Sequence, residues 1–228
     1  MTKIKYFKAL VLFTILFISN VVLLQESTAQ QRTFNLFNEY ILNKNRESLL
    51  DNIDGSPYVE SSFNDGTVFL KGNKRALKFP LRYNNYFDEM EYKTDNLESF
   101  LVLDNKNDVD SILLNNEKYI HVTKNGENNS GGYFIVLTNG KCNLLLKKSI
   151  KLREEVPAGG YQDYIPAKFI PNGDKFFVQF HDGDVVEIPR SRKKAFAIFN
   201  KKGFQKLNRS NFKYEREKLI SFMESLCN

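Results

Sequence analysis

Residues 133–147, YFIVLTNGKCNLLLK, place two apolar runs on either side of Asn139-Gly140 and give the strongest single hairpin signal in the chain. Asparagine and glycine tolerate positive φ angles, so an Asn-Gly pair between two apolar runs is a strong local signal for a β-hairpin. The stretch therefore predicts two antiparallel strands joined by a turn.

The same pattern continues on both sides of this hairpin. From Gly66 onward, hydrophobic residues recur at a period near two over about one hundred residues, which predicts a series of short strands in an antiparallel meander. Turn-forming residues separate them at Lys71-Gly72-Asn73, Asn84-Asn85, Asn125-Gly126, Asn139-Gly140, Asn172-Gly173 and Asp182-Gly183. The predicted strands are 67–71, 76–83, 86–93, 100–104, 109–114, 118–123, 132–138, 142–147, 150–154, 168–170, 176–181 and 185–188.

Two helices are predicted after the last strand. Pro189 can occupy the first position of a helix, and Phe196 and Phe199 then recur at helical spacing until Gly203. A second amphipathic helix is expected to begin near Ser210. The chain therefore reads as a run of strands followed by a helical tail.

This order of elements indicates the α+β class. We expect a curved antiparallel β-meander, half-barrel or barrel-like, followed by a short helical C-terminal tail, because a sheet of about ten strands curls, closes or splits. Whether the curved sheet encloses an apolar cavity or a solid core stays open. The expected divisions are a signal peptide at 1–29, a lead-in segment at 30–54, an antiparallel β domain at 55–188 and a helical tail packed on the sheet at 189–228.

The first 29 residues have the pattern of a secretory signal peptide. A start with three lysines precedes the mostly apolar run 9–24, and the small residues 27–29 then precede Gln30. A membrane anchor is the alternative, but the run is shorter than the roughly 20 apolar residues needed to cross a bilayer. We therefore expect export to the periplasm or the extracellular space, with cleavage after Ala29.

The residues after the leader carry a small positive excess. Removal of the leader lowers the net charge from +6 to +4, because it takes away three lysines and Glu26. Nine acids stand against two lysines between Asp88 and Glu117, whereas eleven bases stand against two acids between Arg190 and Lys218. These opposite blocks either face each other or give the surface two poles.

The densest basic stretch lies at the start of the predicted helical tail. Nucleic acid is not an expected partner of an exported chain, so the anionic candidates are lipid head groups, with peripheral membrane contact, or surface polysaccharide. A solvated helical face is the alternative. This basic patch consists of Arg190, Arg192, Lys193, Lys194, Lys201 and Lys202, and Lys206 and Arg209 follow it.

The chain has two cysteines, Cys142 and Cys227. Export would bring them to a compartment where disulfides form. A bridge between them would fasten the helical tail to the sheet, and the alternative is a pair of free thiols.

The sequence lacks local signatures of catalysis. His121 lies in an apolar strand and His181 ends another, and two histidines without further ligands do not make a zinc site. Glu89 and Glu91 share one face of a predicted strand. They are either a carboxylate pair for acid–base catalysis or two charges on a solvated face. Asp182-Gly183-Asp184 begins like a calcium loop but lacks the later ligands, so a hairpin turn is expected. We predict no catalytic residue, metal or cofactor.

Residues 156–166 form the one long loop within the strand region. Loops of this length are often mobile or functional. We take its Tyr161 and Tyr164 as candidate ligand-binding residues, with a plain surface excursion as the alternative.

The segment 55–92 resembles a known family. It contains GSPY at 55–58, GTV at 66–68, PLRYN at 80–84 and DEMEY at 88–92. These motifs resemble a family of uncharacterised exported proteins of Gram-negative bacteria, with a signal peptide, a run of strands and a lysine-rich helical tail. The resemblance implies this layout and no known activity. In architecture alone, the layout is also similar to the half-barrel of periplasmic lipoprotein carriers.

Arg82 connects this motif to a candidate site. With a turn at Asn84-Asn85, Arg82 would face residues 87–89 across the hairpin, which predicts a cross-strand ion pair. A purely structural pair is one interpretation. In the other, Arg82 with Glu89 or Glu91 lines a ligand site.

Three function classes follow. The first is an exported non-catalytic protein that binds an apolar or anionic envelope component such as a lipid, and the second is a structural protein that engages another envelope protein. A hydrolase-type enzyme, using His181, Asp182 and the carboxylates near Glu89, comes third. An internal apolar cavity of several hundred Å³ would favour a carrier, and a filled core with an exposed aromatic patch would favour the interaction protein. The sequence leaves the oligomeric state open.

Overall fold

The structure, a computed structural model, describes residues 50, 53–72, 76–95, 99–104, 106–124, 130–161, 163–204 and 212–227. The described residues from 53 onward belong to one compact unit. The predicted signal peptide with its cleavage site, most of the lead-in segment, the turns at Asn73 and Asn125-Gly126, and the residues Lys206, Arg209 and Ser210 lie outside the described residues.

Within the described part of the chain, ten strands form a single antiparallel sheet. Its strand order is β10-β9-β8-β7-β6-β5-β1-β2-β3-β4. Two meanders, β1 to β4 and β5 to β10, are therefore joined by the pairing of β1 with β5, and the sheet is open. The strands are β1 Asn64–Leu70, β2 Ala76–Asn84, β3 Glu89–Tyr92, β4 Leu101–Val102, β5 Val109–Leu114, β6 Glu117–Val122, β7 Gly132–Val136, β8 Asn143–Arg153, β9 Lys168–Gln179 and β10 Val185–Glu187.

Three helical segments accompany the sheet in the described residues. A short 3-10 helix, Lys106–Asp108, precedes β5, and two α-helices follow β10: α1, Arg192–Lys201, and α2, Arg216–Cys227. The predicted α+β class is thus confirmed in its broad form. Neither α-helix is long and apolar enough to span a bilayer.

The Asn172-Gly173 turn predicted from the sequence is wrong. Both residues lie inside β9, where together they face the single residue Ser149 of β8, and Gly173 has a φ of 76°. This is a β-bulge, in which a glycine takes the left-handed conformation at little steric cost. The two short strands predicted on either side of Ser149, and the two around Asn172, are therefore one long strand each.

The main core lies between the two α-helices and one face of the sheet. Alternation along β7, β8 and β9 sends Ile135, Leu144 and Val178 into this core, and Phe134, Leu145 and Phe177 to the opposite face. The helices fill their side of the core with buried side chains, namely Ala195, Phe196, Phe199, Leu219, Phe222 and Met223.

The hairpin of β2 and β3 reaches far across the sheet. At its tip, the Asn85 carbonyl accepts a hydrogen bond from the Ile150 amide at 3.4 Å, and the Asn85 side chain donates to the Lys148 carbonyl at 3.1 Å. Both partners belong to β8, which four strands separate from β2. This contact brings together residues that are distant in the sheet and positions the site described next.

Candidate functional site

Arg82 forms a buried ion pair with Glu91. The strand register pairs these two residues, and Arg82 Nε and Nη2 donate to Glu91 Oε2 at 2.9 and 2.6 Å. A two-residue turn at Asn84-Asn85 predicts a partner at 87–89, and this prediction is wrong. The turn takes four residues, 85–88, which moves the pairing along β3. Glu89 is half-buried and pairs in register with Asn84.

The chain itself surrounds this ion pair. The Tyr58 hydroxyl donates to both oxygens of Glu91 at 3.1 and 3.2 Å, and Asn84 Nδ2 donates to Oε1 at 2.9 Å. The Arg82 Cζ atom lies 3.9 Å from the Tyr58 ring centroid and 4.3 Å from that of Phe63. Burial raises the pKa of Glu91, and the Arg82 charge and these donors oppose the increase. Both carboxylate oxygens are thus occupied, which fits a structural role better than a ligand site.

A second polar cluster, centred on Asp88, was not predicted from the sequence. Asp88 Oδ1 accepts hydrogen bonds from the Tyr83 hydroxyl at 2.6 Å and from the Tyr133 amide at 3.0 Å. Lys147 Nζ lies 2.6 Å from Asp88 Oδ2. At Gly132, which has a φ of 111°, a Cβ atom would collide with both the Asp88 carboxylate and the Lys147 ammonium. Glycine at this position therefore allows the ion pair to form.

Two aromatic residues beside Asp88 have unusual environments. Tyr133 is 1% exposed and its hydroxyl has no hydrogen-bond partner in the described structure. The His121 ring packs against it at 5.0 Å between centroids. Burial, with help from the Lys106 charge, lowers the pKa of His121. Burial, followed by the Asp88 charge, raises the pKa values of Tyr83 and Tyr133, so both hydroxyls stay protonated.

The most enclosed of the three main concavities lies beside these clusters. Tyr83, Glu117, Tyr119 and Lys148 line it, and its volume is about 30 Å³. Small-molecule pockets occupy about 300 to 1,000 Å³, whereas a single water needs only about 10 to 15 Å³. The crevice therefore has room for water and not for a lipid. The other two concavities, about 330 and 560 Å³, are open grooves along β1.

The predicted basic patch divides into two parts. Arg190, Arg192, Lys193, Lys194 and Lys201 are exposed. Lys202 instead lies 2.5 Å from both Asp182 Oδ2 and Asp184 Oδ2, in the turn between β9 and β10. Hydrogen bonding to Lys202 lowers the pKa of Asp182. The Asp182-Gly183-Asp184 segment is thus a turn whose two acids share the ammonium of a lysine.

The loop with Tyr161 and Tyr164 extends the hairpin of β8 and β9. Val156 and Ile165 exchange two backbone hydrogen bonds, of 2.8 and 3.0 Å. The Tyr164 hydroxyl donates to Glu155 Oε2 at 2.9 Å, and Tyr161 is fully exposed. These tyrosines therefore lie on an exposed extension of the β8–β9 hairpin, whereas Arg82 is buried in β2.

Cys142 and Cys227 form a disulfide. The bond joins α2 to the connection between β7 and β8, and the Lys141 amide donates to the Cys227 carbonyl at 2.8 Å beside it. Both sulfur-bearing residues are 2% exposed. The bridge thus fastens the C-terminal end of α2 to the loop that joins β7 and β8.

No group of three or more histidine, cysteine or acidic side chains is arranged to hold a metal in the residues that the structure describes. His181 is exposed at the end of β9. Comparison with known proteins found no matching family model, no matching curated protein and no matching solved structure.

Proposed function

We propose that this chain is an exported, non-catalytic protein that binds an anionic component of the cell envelope through the basic face of α1. This basic face consists of the exposed residues Arg192, Lys193, Lys194 and Lys201. Lys193, Lys194 and Lys201 make no ion pair with any described residue. The exposed charges of these three lysines, which pair with no described acid, are the observation behind the proposal.

The position of these bases supports a role in binding. Arg192, Lys193 and Lys194 occupy the first turn of α1, which contains no acid. Cations at a helix N-terminus oppose the helix dipole, at a cost of about 0.3 to 1 kcal/mol each. Lys193 and Lys194 therefore do not stabilise the helix through its dipole, and attraction to an external anion is the alternative reason for these two lysines.

The leader and the disulfide support export. The sequence begins with the pattern of a signal peptide. A disulfide between Cys142 and Cys227 is typical of proteins that fold in an oxidising compartment.

The packing favours binding at the surface over binding inside a half-barrel. The reach of Asn85 to β8 supports a strongly curved sheet, as in a half-barrel. Phe196, Phe199 and Phe222 occupy the face that a carrier would keep open for its ligand. We therefore propose a filled half-barrel that presents a charged exterior, rather than a carrier with an internal lipid.

Sedimentation with lipid vesicles tests the proposal. The protein without residues 1–29 is mixed with vesicles of phosphatidylglycerol and phosphatidylcholine, or of phosphatidylcholine alone. We expect binding to the anionic vesicles only, and a decrease as salt is added. Each lysine near an anionic surface contributes about 1 kcal/mol, so Lys193→Glu with Lys194→Glu should weaken binding by roughly 30-fold or more.

The matched control changes two exposed lysines elsewhere. Lys78→Glu with Lys118→Glu alters the net charge by the same amount on β2 and β6. An equal loss of binding in both double variants would show a general charge effect and would contradict the assignment to α1. Anionic glycan beads replace the vesicles in a parallel experiment, and binding to neither material would overturn the proposal.

A second candidate function is an interaction with another envelope protein. The fully exposed Tyr161, in a projecting hairpin, favours it.

A further inference from the structure

The hairpin of β8 and β9 extends well past its neighbours. These strands contain 11 and 12 residues, whereas β7 and β10 contain 5 and 3. The chain beyond their far ends, at 154–161 and 163–166, forms a projecting arm. A Cβ atom built on Gly159 or Gly160 would meet no atom within 4 Å, so the tip of the arm is surrounded by solvent.

The arm is held in place at its base and along its length. At the base, Phe169 is buried, its amide donates to the Asp54 carbonyl at 2.8 Å, and its ring packs on Tyr86 at 5.1 Å. Further out, the paired backbones of Val156 and Ile165 keep the two sides together. A preformed element loses less conformational entropy on binding than a flexible one.

The arm exposes apolar and aromatic side chains to solvent. Tyr161 is fully exposed, Tyr164 is 54% exposed and Val156 is 36% exposed. Exposed tyrosines on a preformed loop are typical of the residues that dominate protein interfaces. The stability of the monomer gives no reason for a tyrosine at position 161.

The arm has the opposite charge to the basic face. It contains Glu154, Glu155 and Asp163 and no base, in a chain whose net charge is +6. All three acids are exposed. A membrane with anionic lipids would repel these acids, which favours a positively charged protein surface as the partner of the arm.

We propose that the arm of one copy of this protein binds the basic face of a second copy. The acids of the arm pair with Lys193, Lys194 and Lys201, and a lysine or arginine lies over the ring of Tyr161 in a cation–π contact. Ala197 is exposed one helical turn from both Lys193 and Lys201, so the stripe between the two lysines has space for an aromatic ring. This proposal uses the same basic face as the proposed function and names one partner for it.

The arm and the basic face are different surfaces, so the contact is heterologous. Such contacts do not close after two copies and generate rings or chains. The assembled species should therefore grow with protein concentration instead of stopping at a dimer.

Sedimentation velocity of the protein without residues 1–29 tests the proposal. We expect the average mass to rise with concentration in low salt and to return to that of the monomer in high salt. Tyr161→Ser, which removes a fully exposed side chain, should weaken association at least about tenfold. Lys193→Glu with Lys194→Glu should abolish it, and the control pair Lys78→Glu with Lys118→Glu should associate like the unmodified chain.

Mixing the two defective variants gives the sharpest result. The Tyr161 variant keeps its basic face and the Lys193/Lys194 variant keeps its arm, so together they should form one-to-one dimers at protein concentrations at which neither variant associates alone. A monomeric unmodified protein at all concentrations, unchanged association of Tyr161→Ser, or the absence of mixed dimers would each overturn the proposal. Vesicle binding distinguishes a failure of this proposal from a failure of the proposed function. Tyr161→Ser keeps its basic face, so it should bind anionic vesicles even though its self-association is lost.

Discussion

At the scale of single residues, two neighbouring tyrosines in the Asp88 cluster differ in one respect. The Tyr83 hydroxyl donates to Asp88 at 2.6 Å, whereas the Tyr133 hydroxyl, also buried, has no partner among the described residues. A buried hydroxyl that loses its water without gaining a partner costs about 1 to 3 kcal/mol. The two residues therefore offer a matched pair of substitutions.

Tyr83→Phe should lower the free energy of unfolding by about 1.5 to 3 kcal/mol, because it removes a hydrogen bond to a charged carboxylate. Tyr133→Phe should leave the free energy of unfolding unchanged or raise it by about 1 kcal/mol, because it removes an unpaired polar atom. Urea denaturation of the two variants measures both values. A large destabilisation by Tyr133→Phe would show that its hydroxyl has a partner, such as a buried water.

At the scale of elements, α2 is held in two ways. Leu219, Phe222 and Met223 pack into the core, and the Cys142–Cys227 bond fixes the end of the helix. The two cysteines are 85 residues apart in sequence. A crosslink across a loop of this length restricts the unfolded chain strongly, by about 4 to 5 kcal/mol in the chain-entropy model.

Cys142→Ser with Cys227→Ser should therefore lower the free energy of unfolding by up to about 4 to 5 kcal/mol. Hydrogen exchange of backbone amides should increase first in α2, because only side-chain packing then holds this helix on the sheet. Urea denaturation with and without reductant measures this effect. The stability of the double variant should equal that of the reduced unmodified protein and should not change when reductant is added. Equal stability of the oxidised and reduced protein would contradict the expected role of the bridge.

The elements themselves were largely predictable from sequence. The period-two pattern located most strands, and the apolar stripe located α1, because both patterns depend on local alternation. The Asn172-Gly173 pair misled the prediction because glycine serves a bulge as well as a turn. The insertion of β1 between β2 and β5 was not predicted, since pairing between distant strands leaves no mark on either one.

At the scale of the whole molecule, the candidate site was harder to predict than the elements. Arg82 and its partner Glu91 come from one hairpin. The sequence therefore predicted an ion pair across that hairpin, and only the strand register was wrong. Asp88, Tyr133 and Lys147 come from distant parts of the chain and meet only because the hairpin tip crosses the sheet. No local pattern contains that information.

The environment of His121 makes the stability of the whole protein depend on pH. Burial lowers its pKa, and the charges of Lys106, Lys147 and Lys71 act in the same direction against the opposing Asp88. The unfolded chain therefore takes up a proton near pH 6.5, before the folded chain does. The contribution of neutral His121 is complete above about pH 6.5 and is lost as the pH falls below it.

His121→Gln should therefore reduce the loss of melting temperature between about pH 7.5 and pH 5.5. Thermal unfolding at a series of pH values measures this change. His181→Gln removes the other histidine of the chain from an exposed position and is the matched control. The same change of slope in both variants would contradict the assignment to His121.

The turn between β9 and β10 has a consequence for the conditions that the protein tolerates. Asp182 and Asp184 are spaced like the first ligands of a calcium loop, yet the ammonium group of Lys202 lies between them. A calcium-binding turn loses its order when a chelator removes the ion. In this turn the cation is the ammonium group of Lys202, which belongs to the chain itself, so the order of the turn should not depend on the calcium concentration.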